Sequence, residues 1–265
     1  MHAFNYHRPA SSKDAVSLSS KNAEGRYLAG GQSLVQAMKL RLSSPTDLID
    51  LGTIKELAGI KVSGGTVEIG AMTRHADVAA SAEVKKAIPA LAALAAMIGD
   101  RQVRHMGTIG GSLANNDPAA DYPAAALGLG ATITTNKRKI EADKFFTGLY
   151  ETALEPGELI TSVSFPAPKR AAYMKFKNPA SRFAIVGVFV ADFSGKVRVG
   201  VTGAGPSAFR QADMEKALSA KFAPESVANM KVKADGLNND LHASPEYRAH
   251  LVTVMAKRAV EAALK

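Results

Sequence analysis

The 265-residue sequence contains no cysteine and no tryptophan, and only 6% of its residues are aromatic. Without thiols the chain can build no disulfide, no thiolate zinc site and no iron–sulfur centre of its own, so any cluster must sit on a partner. Few aromatic side chains means few platforms on which unpaired bases could stack. No apolar run reaches the ~18 residues a membrane span requires. The opening MHAFNYHRPASSKD lacks the charged-then-apolar layout of a secretory leader. A soluble, cytoplasmic protein without stable membrane insertion is expected. The histidines, at positions 2, 7, 75, 105, 242 and 250, fall at no metal-ligand spacing, which argues against a catalytic zinc and leaves no metal site to name. The nucleophile elbow GxSxG and the phosphate loop GxxxxGK[ST] are both missing, which argues against a serine hydrolase of that type and a P-loop NTPase.

What is present fits a folded domain assembly: 46% hydrophobic residues, 22% charged, and 33 Lys plus Arg against 24 Asp plus Glu, a formal net charge of +9. Such an excess draws acidic partners through long-range fields. The basic residues are dispersed, and the densest groups are short: Lys137-Arg138-Lys139, Lys169-Arg170 and Lys85-Lys86. That pattern favours a solvated basic face or an acidic partner subunit over nucleic acid.

Composition divides the chain into residues 1–55, 56–170 and 171–265. In the first segment RYLAG reads as a strand, SLVQAMKLRL as a helix with Ser33 as N-cap and Pro45 as its stop, and DLIDL as a second strand. The second segment carries the strand TVEIGAMT, the short helix RHADVAAS and IPALAALAAMIGD, where Leu91, Leu94 and Ile98 recur at helical spacing and Gly99 ends the run. The strand ELITSVSFP closes it. The third offers three successive strands, AYMKFK, FAIVGVFVADF and KVRVGVTGAG, then a long helix from Pro245 to Leu264, an α+β arrangement.

Three glycine-rich stretches compete for chemistry. AGGQSL, Ala29 to Leu34, lies at a strand-to-helix junction where free amides favour a phosphate, although a plain tight turn accounts for it equally well. GTIGGSLANNDPAAD, residues 107–121, reads as a long loop between two patterned segments. Its Gly107, Gly110 and Gly111 suit amide contacts to an anion, and Ser112, Asn115, Asn116, Asp117 and Asp121 suit a hydroxyl-rich ligand. GAGPSA, Gly203 to Ala208, superficially matches a dinucleotide fingerprint, but Pro206 lacks the N–H that such a turn would aim at pyrophosphate. Among single charged residues, Lys177 and Asp121 stand out, with a solvated surface role as the plain alternative.

Together AGGQSL, MKLRLSSPTDLIDL, IGAMTRHADV, VRHMGTIGGSLANNDPAAD and the closing HASPEYRAHLVTVMAKRAVEAA resemble the FAD-binding medium subunits of molybdenum hydroxylases, the carbon monoxide dehydrogenase and xanthine dehydrogenase family. The resemblance covers essentially the whole chain. It implies a vanillyl-alcohol-oxidase-like (PCMH-type) α+β fold: two α/β subdomains enclosing FAD, plus a C-terminal three-stranded sheet with a helical bundle. It implies that the FAD diphosphate lies between Ala29, Gly30, Gly31, Gln32, Ser33 and Leu34 on one side and Thr108, Ile109, Gly110, Gly111, Ser112 and Asn115 on the other. Asp121 matches a carboxylate near the ribityl and adenosine part, Ile160 an apolar residue beside the flavin, Lys177 a lysine near the cofactor, and Phe183 the residue covering the ring. No catalytic acid or base is implied. The implied partners are a small subunit with [2Fe-2S] clusters and a large subunit with the molybdenum cofactor, assembled as a dimer of heterotrimers, with NAD, O2 or a quinone as acceptor. A stand-alone flavin oxidase or reductase of the same fold is the alternative.

Overall fold

The computed structural model describes all residues, 1–265. Three of the four sheets organise the chain, the fourth being the two-stranded pair Phe146–Gly148 and Glu151–Thr152. The first is parallel, in the order Asn5–His7, Asp47–Asp50, Arg26–Leu28. Parallel neighbours require crossover connections, and the helices Ser12–Lys21 and Leu34–Lys39 supply them. Ser11 caps the first of these by accepting from the Asp14 amide. That initial strand–helix pair is absent from the sequence reading. The second crossover helix is shorter than SLVQAMKLRL suggested: it ends at Lys39, and Arg41 turns the chain with φ 60°, well before Pro45.

The second sheet is antiparallel throughout, in the order Ile60–Ser63, Thr66–Gly70, Ile160–Pro166, Thr132–Thr135, Lys139–Glu141. Strand Ile160–Pro166, distant in sequence from its partner Thr66–Gly70, closes the sheet at its centre, and a bulge between Ile160 and Ser162 turns the Thr161 carbonyl toward the Ala71 amide.

The third sheet runs Arg170–Lys177, Ala184–Phe193, Lys196–Thr202, Phe209–Arg210. It has four strands where three were expected, because Phe209 and Arg210 return to pair with Val201 and Gly200. One face carries the C-terminal helix Pro245–Ala263, whose Leu251, Val252, Met255 and Ala259 pack on Val186, Val188 and Val190. The other carries helix Tyr122–Leu129, every residue of which is buried. Small residues permit this close approach. A Cβ on Gly200 would overlap the Ala124 carbonyl, and one on Gly128 would stand 2.9 Å from the Phe189 ring. Tyr122, Phe145, Phe165 and Phe189 anchor the core that this helix shares with the second sheet. No helix is long and apolar enough to cross a membrane.

Candidate functional site

The strand Arg26–Leu28 runs into Ala29–Ser33, which precedes helix Leu34–Lys39. The amides of residues 29 to 34 donate to no backbone or side-chain acceptor. Gly31 takes φ 72°, a left-handed conformation that favours glycine. Ser33 makes no capping bond, contrary to expectation, so its hydroxyl and the exposed Gln32 side chain stay free.

The second stretch corrects the loop reading. Thr108 is the N-cap of a helix spanning Ile109–Asn115, its hydroxyl accepting from the Gly111 amide at 3.1 Å. Gly110 and Gly111 have ordinary negative φ; close approach, not unusual backbone geometry, is what requires glycine here. A Cβ on Gly110 would lie 2.6 Å from Ala71 Cβ and 2.8 Å from its carbonyl oxygen. The Gly110 amide already donates to Ala71 O and the Ile109 amide to Thr73 O, while the Gly107 amide donates to Val103 O. These three amides are therefore spent within the fold. What the segment still offers is the Thr108 amide and the side chains of Ser112 and Asn115, none of which has a partner.

The two stretches touch. A Cβ on Gly30 would overlap the Met106 carbonyl and stand 2.7 Å from Gly107 Cα, and one on Gly111 would reach the Ala29 methyl at 3.4 Å. The six unpartnered amides of residues 29 to 34 thus belong to a stretch that lies against Met106, Gly107 and Gly111. Such an edge suits a diphosphate, because free amide hydrogens favour negative charge.

Other residues of the second stretch serve the fold. Asn116 ends the helix with φ 41°, and its fully buried amide donates to Gly148 O (2.9 Å), Glu151 O (2.7 Å) and Ser207 Oγ (3.2 Å). Asp117 accepts from the Ala119 amide and the Tyr150 hydroxyl. Asp121 is buried and accepts from Tyr173 Oη at 2.5 Å and Lys175 Nζ at 2.9 Å, so both carboxylate oxygens are engaged by protein. Burial pushes its pKa up, against the opposing pull of Lys175 and Tyr173. Ile160 lies in the core beside the bulge. Lys177 and Phe183 are exposed at the end and start of neighbouring strands; the lysine brought into contact with Asp121 is Lys175. Sequence reasoning missed it.

GAGPSA is tied into the fold: the Gly203 amide donates to Pro118 O, the carbonyl of Gly203 accepts from Arg248 and Asn238 and that of Gly205 from Asn238, and Pro206 supplies no N–H.

His75 underlies the second stretch. Its backbone amide donates to Gly107 O, and its ring lies 5.4 Å from that of Tyr122. Burial, aided by the nearby Arg104 charge, lowers its pKa from 6.5 to about 4. The neutral ring is the folded form, so its contribution to stability is complete above pH 6.5 and is lost as the pH falls through 4. The gap corresponds to on the order of 3 kcal/mol. Urea unfolding at a series of pH values should show this slope below pH 6.5, and His75→Phe should remove it; a slope unchanged in the variant would place the titration elsewhere.

A parallel βαβ half and an antiparallel half, with unpartnered amides where they meet, make this an α+β protein. Comparison gives the kind. Residues 2–168 match the family described as the FAD binding domain in molybdopterin dehydrogenase. The carbon monoxide dehydrogenase medium chain of Hydrogenophaga pseudoflava is 35% identical, covering 98% of this chain and 96% of its own. The nicotine 6-hydroxylase medium subunit of Paenarthrobacter nicotinovorans is also 35% identical, over 97% and 96%. A solved structure of reconstituted CO dehydrogenase from Oligotropha carboxidovorans superposes with a TM-score of 0.91 at 35% identity, covering 99% of this chain and 98% of that one. The chain belongs to the FAD-binding medium subunits of the molybdenum hydroxylases, the carbon monoxide dehydrogenase and xanthine dehydrogenase family. It is an oxidoreductase subunit whose cofactor is FAD.

Proposed function

We propose that this chain holds the FAD diphosphate on the edge between residues 29–34 and 108–115, and that it transfers electrons from the [2Fe-2S] clusters of a small partner subunit to an external acceptor, NAD, O2 or a quinone. The observation that carries the reading is the set of six unpartnered amides in a stretch packed against Met106, Gly107 and Gly111. Bound FAD supplies the redox chemistry, accepting and releasing electrons; the chain supplies placement and field. The free amides of Ala29, Gly30, Gly31, Gln32, Ser33 and Leu34 bind the diphosphate. The hydroxyls of Thr108 and Ser112 and the amide side chain of Asn115 complete its surroundings. Asp121 acts indirectly, by fixing Tyr173 and Lys175.

On this reading the three sheets correspond to units of residues 1–55, 56–170 and 171–265, and the chain joins a small iron–sulfur subunit and a large molybdopterin subunit in a dimer of heterotrimers. The net charge of +9 suits acidic docking surfaces.

Ser33→Asp tests the diphosphate site. The Ser33 hydroxyl has no role in the fold, so an added carboxylate should leave unfolding unchanged. Charge repulsion and lost hydrogen bonds should weaken FAD binding by roughly 3 kcal/mol, more than a hundredfold. Fluorescence titration of the flavin-free chain reads the affinity; an unchanged affinity would remove residue 33 from the site.

A further inference from the structure

Helix Pro89–Ala96 ends in the turn Met97–Gly99, with Gly99 at φ 48°. Three successive carbonyls of this turn hold two cations. Lys175 Nζ donates to Met97 O at 3.2 Å, and Arg104 Nη1 donates to Ile98 O at 2.8 Å and Gly99 O at 3.2 Å. Both cations line a cleft of about 400 Å3 together with Ala96, Met97, Lys177 and Arg182. Lys175 is deeply held, its side chain 2% exposed and paired with Asp121. Arg104 has no carboxylate partner within salt-bridge distance, and the rest of its guanidinium fork makes no bond within the protein.

One residue of the cleft lining ties it to the amide edge: Arg104 lies two positions before Met106 in the short helix Arg101–Met106. Met106 is the residue whose carbonyl Gly30 approaches. A molecule anchored by its diphosphate on that edge is long enough for one end to reach Arg104 and the cleft it lines. Adenine carries no charge and gains nothing from two pinned cations. A flavin ring gains a negative charge when two electrons and one proton convert it to its anionic reduced form.

We infer that the Met97–Gly99 turn is a cation holder, fixing Arg104 and Lys175 against the flavin ring so that they stabilise its reduced form and set its potential. This rests on the FAD placement proposed above. Carbonyl partners make the device effective: they fix the position of each cation without cancelling its charge. Arg104 supplies a net charge, whereas Lys175 with Asp121 supplies a dipole whose positive end faces the cleft.

The test is the midpoint potential of bound FAD in the full chain, measured by spectroelectrochemical titration with electrons from the electrode and protons from buffer. Arg104→Gln should reduce the preference for reduced over oxidised flavin about tenfold, a fall of about 30 mV for a two-electron couple. Arg104→Lys should restore most of it. The double variant Lys175→Gln/Asp121→Asn, which leaves no unpaired buried charge, should shift the potential in the same direction by less. Lys177→Gln, at an exposed position, should have the smallest effect. Where a variant sheds flavin, the ratio of its dissociation constants for reduced and oxidised FAD gives the same quantity. An unmoved potential, or an unmoved ratio, in both neutralised variants would overturn the inference while leaving the FAD site intact. Failure of the wild-type chain to bind FAD would instead overturn the placement on which it rests.

Discussion

Gly30→Ala is expected to lower FAD affinity by roughly two to four orders of magnitude, the equivalent of two charge-assisted hydrogen bonds. The added methyl would occupy the space of the Met106 carbonyl and press on Gly107, both backbone atoms of the opposite stretch. Neither can swing aside as a side chain would, so the two halves of the edge must separate. Gly30 has no positive φ, which means that alanine introduces no local backbone strain and the effect isolates the approach of the two stretches. Gly31 is a less selective site: at φ 72° any side chain is strained, and a Cβ would also meet Val35 at 2.9 Å. Gly110→Val reports on a different matter again, because its side chain would enter Ala71 and disturb the core below the edge. Isothermal titration of flavin-free Gly30→Ala with FAD checks the expectation, and wild-type affinity would show that the two stretches need not meet.

The second large effect falls on stability. Asp121→Ala removes the only carboxylate beside Lys175 and leaves a buried ammonium with a carbonyl as its remaining partner. Breaking a buried pair from one side costs about 3–5 kcal/mol, because the surviving charge stays desolvated. Tyr173 loses its acceptor as well. For a chain of this length the unfolding temperature should fall by about 10 °C. The double variant Asp121→Asn/Lys175→Gln should recover much of that loss, since it retains hydrogen-bonding groups and removes the unpaired charge. Thermal unfolding of the single and double variants measures the coupling. Equal losses in both would mean that the pair contributes through packing alone.

Lys175, which pairs with Asp121, carries no signal of its own in the sequence, whereas Lys177 lines the same cleft. Tyr173 and Lys175 alternate onto one face of their strand, as period-two patterning requires. A bulge between Phe176 and Lys177 then shifts the register, and Lys177 leaves the packed region for solvent. Nothing in YMKFK marks that bulge, which depends on the partner strand. Helix Ile109–Asn115 was hidden for another reason. Two glycines and an asparagine give it low intrinsic propensity, and only Ile109 and Leu113 provide a helical repeat. Tertiary contacts impose the helix: Ile109 and Gly110 are tied to Thr73 and Ala71, and Thr108 caps it. The parallel first sheet was half legible, its strands Arg26–Leu28 and Asp47–Asp50 flanking a visible turn, whereas Asn5–His7 is too short and too exposed to carry a pattern. The long C-terminal helix was readable from Pro245 onward because nineteen residues sustain the signal. The two glycine stretches, far apart in sequence, touch in the fold. Which of their amides are free depends on partners far away in sequence.

Residue-resolved amide hydrogen exchange, with and without FAD, tests the central claim most directly. The amides of residues 29 to 34 have no acceptor in the protein and should exchange rapidly in the flavin-free chain, then become protected when FAD binds. Those of Ile109 and Gly110, bonded to Thr73 and Ala71, should be protected in both states. Binding of FAD that leaves residues 29 to 34 exchanging as before would contradict the account, because the diphosphate would then be held somewhere other than on this edge.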